Sequence, residues 1–104
     1  MSETPRHEIL VGLHVTDERA YGLYRAEMMP ILGTFGGSFR RDFRVAEALL
    51  GGDAAVNRVF ILSFPSAASK ENFFADEGYQ SVRAKYFDSS VGHVDLIAEY
   101  ETIG

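Results

Sequence analysis

The sequence predicts an α+β fold of βαββαβ order, a four-stranded antiparallel sheet with two helices on one face. Three observations lead there. Apolar residues recur with period two, or in short continuous runs, in four separate stretches. Two stretches with helical spacing lie between the first and second and between the third and fourth of these. The first and third stretches are the most apolar, as the two central strands of such a sheet must be.

Each element has its own signal. Residues 1–7 read as a flexible N-terminal tail, and 8–103 as a single domain. In the first strand, Ile9, Val11, Leu13 and Val15 form a uniformly apolar face, while Leu10, Gly12, His14 and Thr16 form a mixed one. Thr16 reads as the cap of a helix whose first turn carries Asp17 and Glu18, negative charge at the positive end of the helix dipole. That helix runs to about Leu32, with Gly33 as the residue that ends it and Pro30 as a source of a kink.

Gly36 and Gly37 open the second strand. Strict alternation places Phe39, Arg41, Phe43 and Val45 on one face and Ser38, Arg40, Asp42 and Arg44 on the other. Residues 46–50 fit either a strand or a helical turn, and Gly51-Gly52-Asp53 marks a break. Residues 57–64 form a nearly continuous apolar strand. Ser66 caps a second helix through Phe73 and Phe74, which Gly78 interrupts. A short helical piece follows from Tyr79 to about Phe87, then a loop at 88–90 and a last strand over 91–102. Right-handed crossovers make the ferredoxin-like arrangement the expected topology.

Composition narrows the function classes. The chain has 104 residues, 46% hydrophobic and 24% charged, which is a globular balance. Fifteen Asp and Glu against ten Lys and Arg give a net charge of −5, so no nucleic acid is expected as a partner. The absence of Cys removes disulfides and thiolate chemistry. No apolar run approaches a membrane span, and the N-terminus has no apolar signal core. The expectation is a cytoplasmic protein with no membrane partner. A bare sheet face argues for self-association, with a homodimer as the expected form.

Tyr21 and Tyr24, the Gly36-Gly37 pair, Phe39 and Arg41, Arg58, Phe64-Pro65-Ser66, Phe73-Phe74, Tyr79 and Arg83 recur in one order and spacing. Together they resemble a bacterial family known as domain of unknown function 1330. The resemblance covers residues 9–101. The chain departs from the family pattern at Ser63, where a glutamate is common, and at Phe73-Phe74, where Trp-Tyr is common. The resemblance implies membership of the dimeric α/β-barrel superfamily, a homodimer and a pocket, and no particular reaction.

Two chemistries compete for the candidate residues. Tyr21, Tyr24, Phe73, Phe74 and Tyr79 supply aromatic walls between helices and sheet, and Arg41, Arg58 and Arg83 supply forked cations for an anion. Tyr24 and Arg41 are expected to reach one polar spot beside Phe73 and Tyr79. His14 or His93 would then be the base near neutral pH. The other chemistry is a metal site of His14, His93 and Asp95, or haem on one of these histidines. Neither motif is specific, so no cofactor and no metal is expected. The resulting expectation is a cofactor-independent enzyme or binder of a small aromatic or carboxylic compound. The alternative is a non-catalytic structural or ligand-binding homodimer.

Overall fold

Strands β1 (His7–Val15), β2 (Ser38–Arg44), β3 (Arg58–Phe64) and β4 (Val91–Glu101) form one antiparallel sheet in the order β2-β3-β1-β4. The computed structural model describes residues 4–51 and 55–103. The two most apolar strands are central, as their patterns require. Helix α1 (Glu18–Thr34) makes the first crossover. The second is broken into α2 (Ala67–Ala75), α3 (Glu77–Val82), a π-helical segment over Arg83–Phe87 and a helical turn over Asp88–Ser90.

Four expectations are corrected. The sheet is open and is not closed into a barrel: its outer strands β2 and β4 lie on opposite edges with two strands between them. Four strands twisted by about 20–25° each do not bring those edges together. The helical layer holds three helices and not two, because Asp76 leaves the helical conformation and caps a new helix. Its side chain accepts from the Tyr79 amide at 2.9 Å. Gly78, expected as the break, lies inside α3, and the expected loop at 88–90 is a helical turn.

The other ends follow local chemistry. β1 begins at His7, one residue into the expected tail. Asp17, not Thr16, caps α1 by accepting from the Ala20 amide at 3.1 Å. Pro30 stays inside the helix, and the chain turns at Gly36, whose φ of +74° is a left-handed conformation suited to glycine. The Gly36 and Gly37 amides then donate to the Gly33 and Leu32 carbonyls. Ser66 caps α2 as expected. Of the expected break at 51–53, residues 52 and 53 lie outside the described residues.

The core lies between the sheet and the helices. Ile9, Leu13, Phe60, Leu62 and Phe64 from the sheet meet Tyr21, Tyr24, Met28, Leu32, Phe73, Tyr79 and Phe87 from the helical layer. Register shifts re-aim the edge strands. In β2, Phe39 pairs with Leu62 but Arg41 pairs with Ile61, so Arg40 is an extra, bulged residue. Phe39 therefore faces the helices, while Arg41 and Phe43 face the other side and Asp42 turns inward. The expected common face of Phe39, Arg41 and Phe43 does not exist. In β4, Leu10 pairs with Ala98 and Val11 with Leu96, which makes Ile97 a second bulge and turns Glu99 toward the helices.

Candidate functional site

A cavity of about 230 Å³ lies between the helical layer and the sheet. Its floor is Ile9, Val11 and Leu13 of β1 with Phe60 and Leu62 of β3. Tyr21, Tyr24 and Met28 of α1 and Phe74 and Tyr79 of the second crossover form its walls. Val94 and Leu96 of the edge strand β4 line it and are about half exposed, so the cavity opens along that edge. Such a lining is dry and aromatic, the common composition of a small-molecule pocket.

Polar groups enter it at two places. The first is a pair of buried hydroxyls, Tyr24 Oη and Tyr79 Oη, 2.8 Å apart. Burial, followed by the neighbouring Tyr79, pushes the Tyr24 phenol far above its ordinary range. Burial also raises Tyr79, against the opposing effects of its bond to Tyr24 and the Arg83 guanidinium. Both phenols therefore stay protonated at neutral pH. One hydrogen bond between two hydroxyls leaves one proton undonated, whichever group is the donor. Arg83 lines the cavity beside them and lies over the Phe87 ring at 4.9 Å.

The second polar place holds Lys70 of α2 and Glu99 of β4, which are ion-paired with each other. His7 Nε2 meets the same Glu99 oxygen at 2.6 Å. The bonds from Lys70 and then His7 hold the Glu99 carboxyl below its ordinary range.

The residues singled out from the sequence divide among several places. Tyr21, Tyr24, Tyr79 and Arg83 line the cavity. Phe73 does not: it is fully buried behind the cavity, its ring 4.3 Å from that of Tyr79, while its neighbour Phe74 forms wall. Arg58 stands outside the cavity lining, on β3 beside β2. It donates two hydrogen bonds to Asp42, both at 2.9 Å, and lies over the Tyr21 ring. Arg25 donates to the same Asp42 at 3.0 Å and stacks on Phe39 at 3.7 Å. The bonds from Arg58, against burial and aided by Arg25, hold the Asp42 carboxyl low.

Arg41, His14 and His93 lie on the opposite face of the sheet. Arg41 lines a groove there with Glu8, Ile61 and Tyr100. The bulge at Arg40 thus separates it from Tyr24. His14 and His93 are directly opposed across β1 and β4, outside the cavity lining. The conceivable metal cluster with Asp95 is not formed: among the described residues no three His, Asp or Glu side chains converge on one point. Sequence reasoning missed Lys70, Glu99, Phe87 and His7. Helical spacing from Phe73 and Phe74 would have aimed Lys70 inward, but no pattern in β4 announces the bulge that turns Glu99.

An open ferredoxin-like sheet with an aromatic cavity under its helices defines the structural class. Within it, residues 9–100 match the family described as Domain of unknown function (DUF1330), and the chain belongs to that family. A comparison with curated proteins finds no match. Among solved structures, the fold is similar to RPA0582 of Rhodopseudomonas palustris, a protein of unknown function. That match has 18% identity and a TM-score of 0.74, over 99% of this chain and 85% of the other. It is also similar to a DABB family protein with a ferredoxin-like fold from Mesorhizobium loti, at 10% identity and a TM-score of 0.65, covering 96% and 97%. A NIPSNAP domain protein from Burkholderia xenovorans gives 14% identity and 0.63, covering 95% and 93%. At these identities the likeness is one of fold.

Proposed function

We propose that the protein binds a small, single-ring organic compound in the cavity between its helices and sheet. The observation that carries this reading is the Tyr24–Tyr79 hydroxyl pair, a donor with a spare proton set into an otherwise apolar wall. A cavity of roughly 150 Å³ holds benzene, so about 230 Å³ suits one ring with one or two substituents. The apolar walls take the ring, and the phenols with Arg83 take an oxygen of a hydroxyl, carbonyl or carboxylate group. The raised phenols act as donors and not as bases, so the pair favours a substituent oxygen that carries partial or full negative charge. Any chemistry there would begin as stabilisation of that charge.

Titration calorimetry with 4-hydroxybenzoate, hydroquinone and benzoate tests the reading. At least one should bind with one-to-one stoichiometry, and a Tyr24→Phe/Tyr79→Phe double variant should weaken it at least tenfold. Absence of binding by all three, or unchanged affinity in the double variant, would overturn it.

A second copy of the chain is the proposed macromolecular partner, seated on the open sheet face. Half-exposed Phe43 and Ile97 support this, together with partly exposed Leu10 and Ile61 on the same face. Light scattering should give twice the chain mass of 11.5 kDa. The monomer mass at micromolar concentration would contradict it. Among the described residues no helix is long and apolar enough to cross a membrane.

A further inference from the structure

The second polar place in the cavity contains a group that the binding reading leaves unused. His7 is nearly buried, at 9% exposure. Its Nε2 contacts Glu99, but its Nδ1 has no hydrogen-bond partner among the described residues. The Glu101 carboxylate stands 4.0 Å from that nitrogen. His7 thus lies between two carboxylates of β4, one facing the cavity and one facing solvent. A neutral imidazole donates to Glu99 and leaves a lone pair in a dry site. A protonated imidazole has an acidic partner on each side. The remaining neighbours are neutral or occupied elsewhere. Phe64 of β3 is opposite His7, Lys70 of α2 reaches it only through Glu99, and Arg6 donates to Ser63 and to the Gly36 carbonyl.

The charged groups lining the cavity are Lys70 and Arg83 against Glu99 alone, which favours an anionic ligand over a cationic one. An anion reaching Lys70 takes the partner that Glu99 now holds. Glu99 would then face a second negative charge unless another cation replaces Lys70. His7 is the group placed to do so.

We infer that Lys70, Glu99 and His7 form a proton-linked carboxylate subsite. Lys70 shifts its pairing from Glu99 to the carboxylate of a bound single-ring acid. His7 takes up one proton from solvent and holds Glu99 in place of Lys70. One negative charge and one proton enter together, so the net charge of the site is unchanged. The inference rests on the cavity being a ligand site, as proposed above, and adds the ligand class and its pH dependence.

The test is titration calorimetry of 4-hydroxybenzoate and of p-cresol, which lacks the carboxylate, from pH 6 to 8 in buffers of different ionisation enthalpy. The acid should bind with uptake of about one proton, and its affinity should fall as pH rises, by up to about tenfold per unit. The cresol should bind with no proton uptake and no pH dependence. His7→Gln should abolish the uptake and flatten the pH profile of the acid. Should that variant not fold, nitrogen-15 NMR of the wild-type histidines supplies the same readout. At any one pH of the titration, the protonated fraction of His7 should be larger in the acid complex than in the free protein. Binding of the acid without proton uptake, uptake retained in His7→Gln, or binding of the cresol alone would overturn the subsite and leave the cavity reading standing. If neither compound binds, the subsite falls, and the cavity reading falls with it when hydroquinone and benzoate also fail to bind.

Discussion

On the helix-covered face of the sheet, Ile9, Val11 and Leu13 meet Phe60, Leu62 and Phe64, and among the described residues polar groups enter the cavity at the phenol pair with Arg83 and at Lys70 with Glu99. On the open face the four strands present Glu8, His14, Ser63, Arg41 and His93 beside Leu10 and Ile61. The first face is closed by aromatic packing and the second by charge. Glu8 shows how the second works. It is almost wholly buried, yet it accepts from Arg40 at 3.0 Å and from the Tyr100 hydroxyl at 3.1 Å. Burial pushes its carboxyl up, but bonds from Arg40, Ser63 and Tyr100 together outweigh this and leave it below its ordinary range. A buried charge is tolerated where its hydrogen bonds are complete. The comparison teaches that a ligand site needs the opposite condition, an apolar surround with a donor left over, and among the described residues the Tyr24–Tyr79 pair on the helix-covered face meets it.

Substitutions should separate the faces in order of size. Phe64→Ala removes a fully buried ring and should cost about 3–5 kcal/mol in chemical denaturation, the largest effect. A cost below about 1 kcal/mol would mean that the helix-covered face is not the core. Glu8→Gln should cost roughly 1–2 kcal/mol at neutral pH by weakening its paired hydrogen bonds. The folded carboxyl is held low, so its contribution is present above the unfolded carboxylate range and fades as pH falls through the folded value. Stability of the wild type should therefore drop more steeply on acidification than that of Glu8→Gln, and parallel curves would contradict the pairing.

Tyr79→Phe leaves the buried Tyr24 hydroxyl without its partner and should cost about 1–2 kcal/mol. Adding Tyr24→Phe should recover part of that loss, since no polar group is then stranded. A fully additive double variant would show that the hydroxyls do not interact. Smallest of all, Arg41→Ala should change stability by less than about 0.5 kcal/mol and leave cavity binding unaltered, because Arg41 is exposed on the far face. Loss of binding in this variant would place the ligand on the open face.

Strand existence and order were legible because the apolar alternation of β1 and the continuous run of β3 mark them as central. The Ser66 cap and the aromatic walls Tyr21, Tyr24 and Tyr79 were legible for the same reason, as local patterns with one physical solution. Arg41 was misplaced and Glu99 overlooked for a shared reason. One extra residue, Arg40 in β2 and Ile97 in β4, inverts the facing of the residues that follow it in the strand. Nothing in Ser38-Phe39-Arg40-Arg41 or in Leu96-Ile97-Ala98 marks the insertion. The inward turn of Asp42 toward Arg25 and Arg58 gives the β2 bulge a stabilising outcome, but those partners lie on other elements. The closed barrel came from resemblance alone, and pattern within this one chain carried no information on it.

Methyl-resolved carbon-13 NMR during titration with 4-hydroxybenzoate tests the central claim most directly. Saturating shifts should appear at Ile9, Val11, Leu13, Leu62 and Leu96, whose methyls line the cavity, while Leu10, Ile61 and Ile97 on the open face stay still. Shifts confined to Leu10, Ile61 and Ile97, or none at any of the eight, would contradict the assignment of the helix-covered face as the binding face.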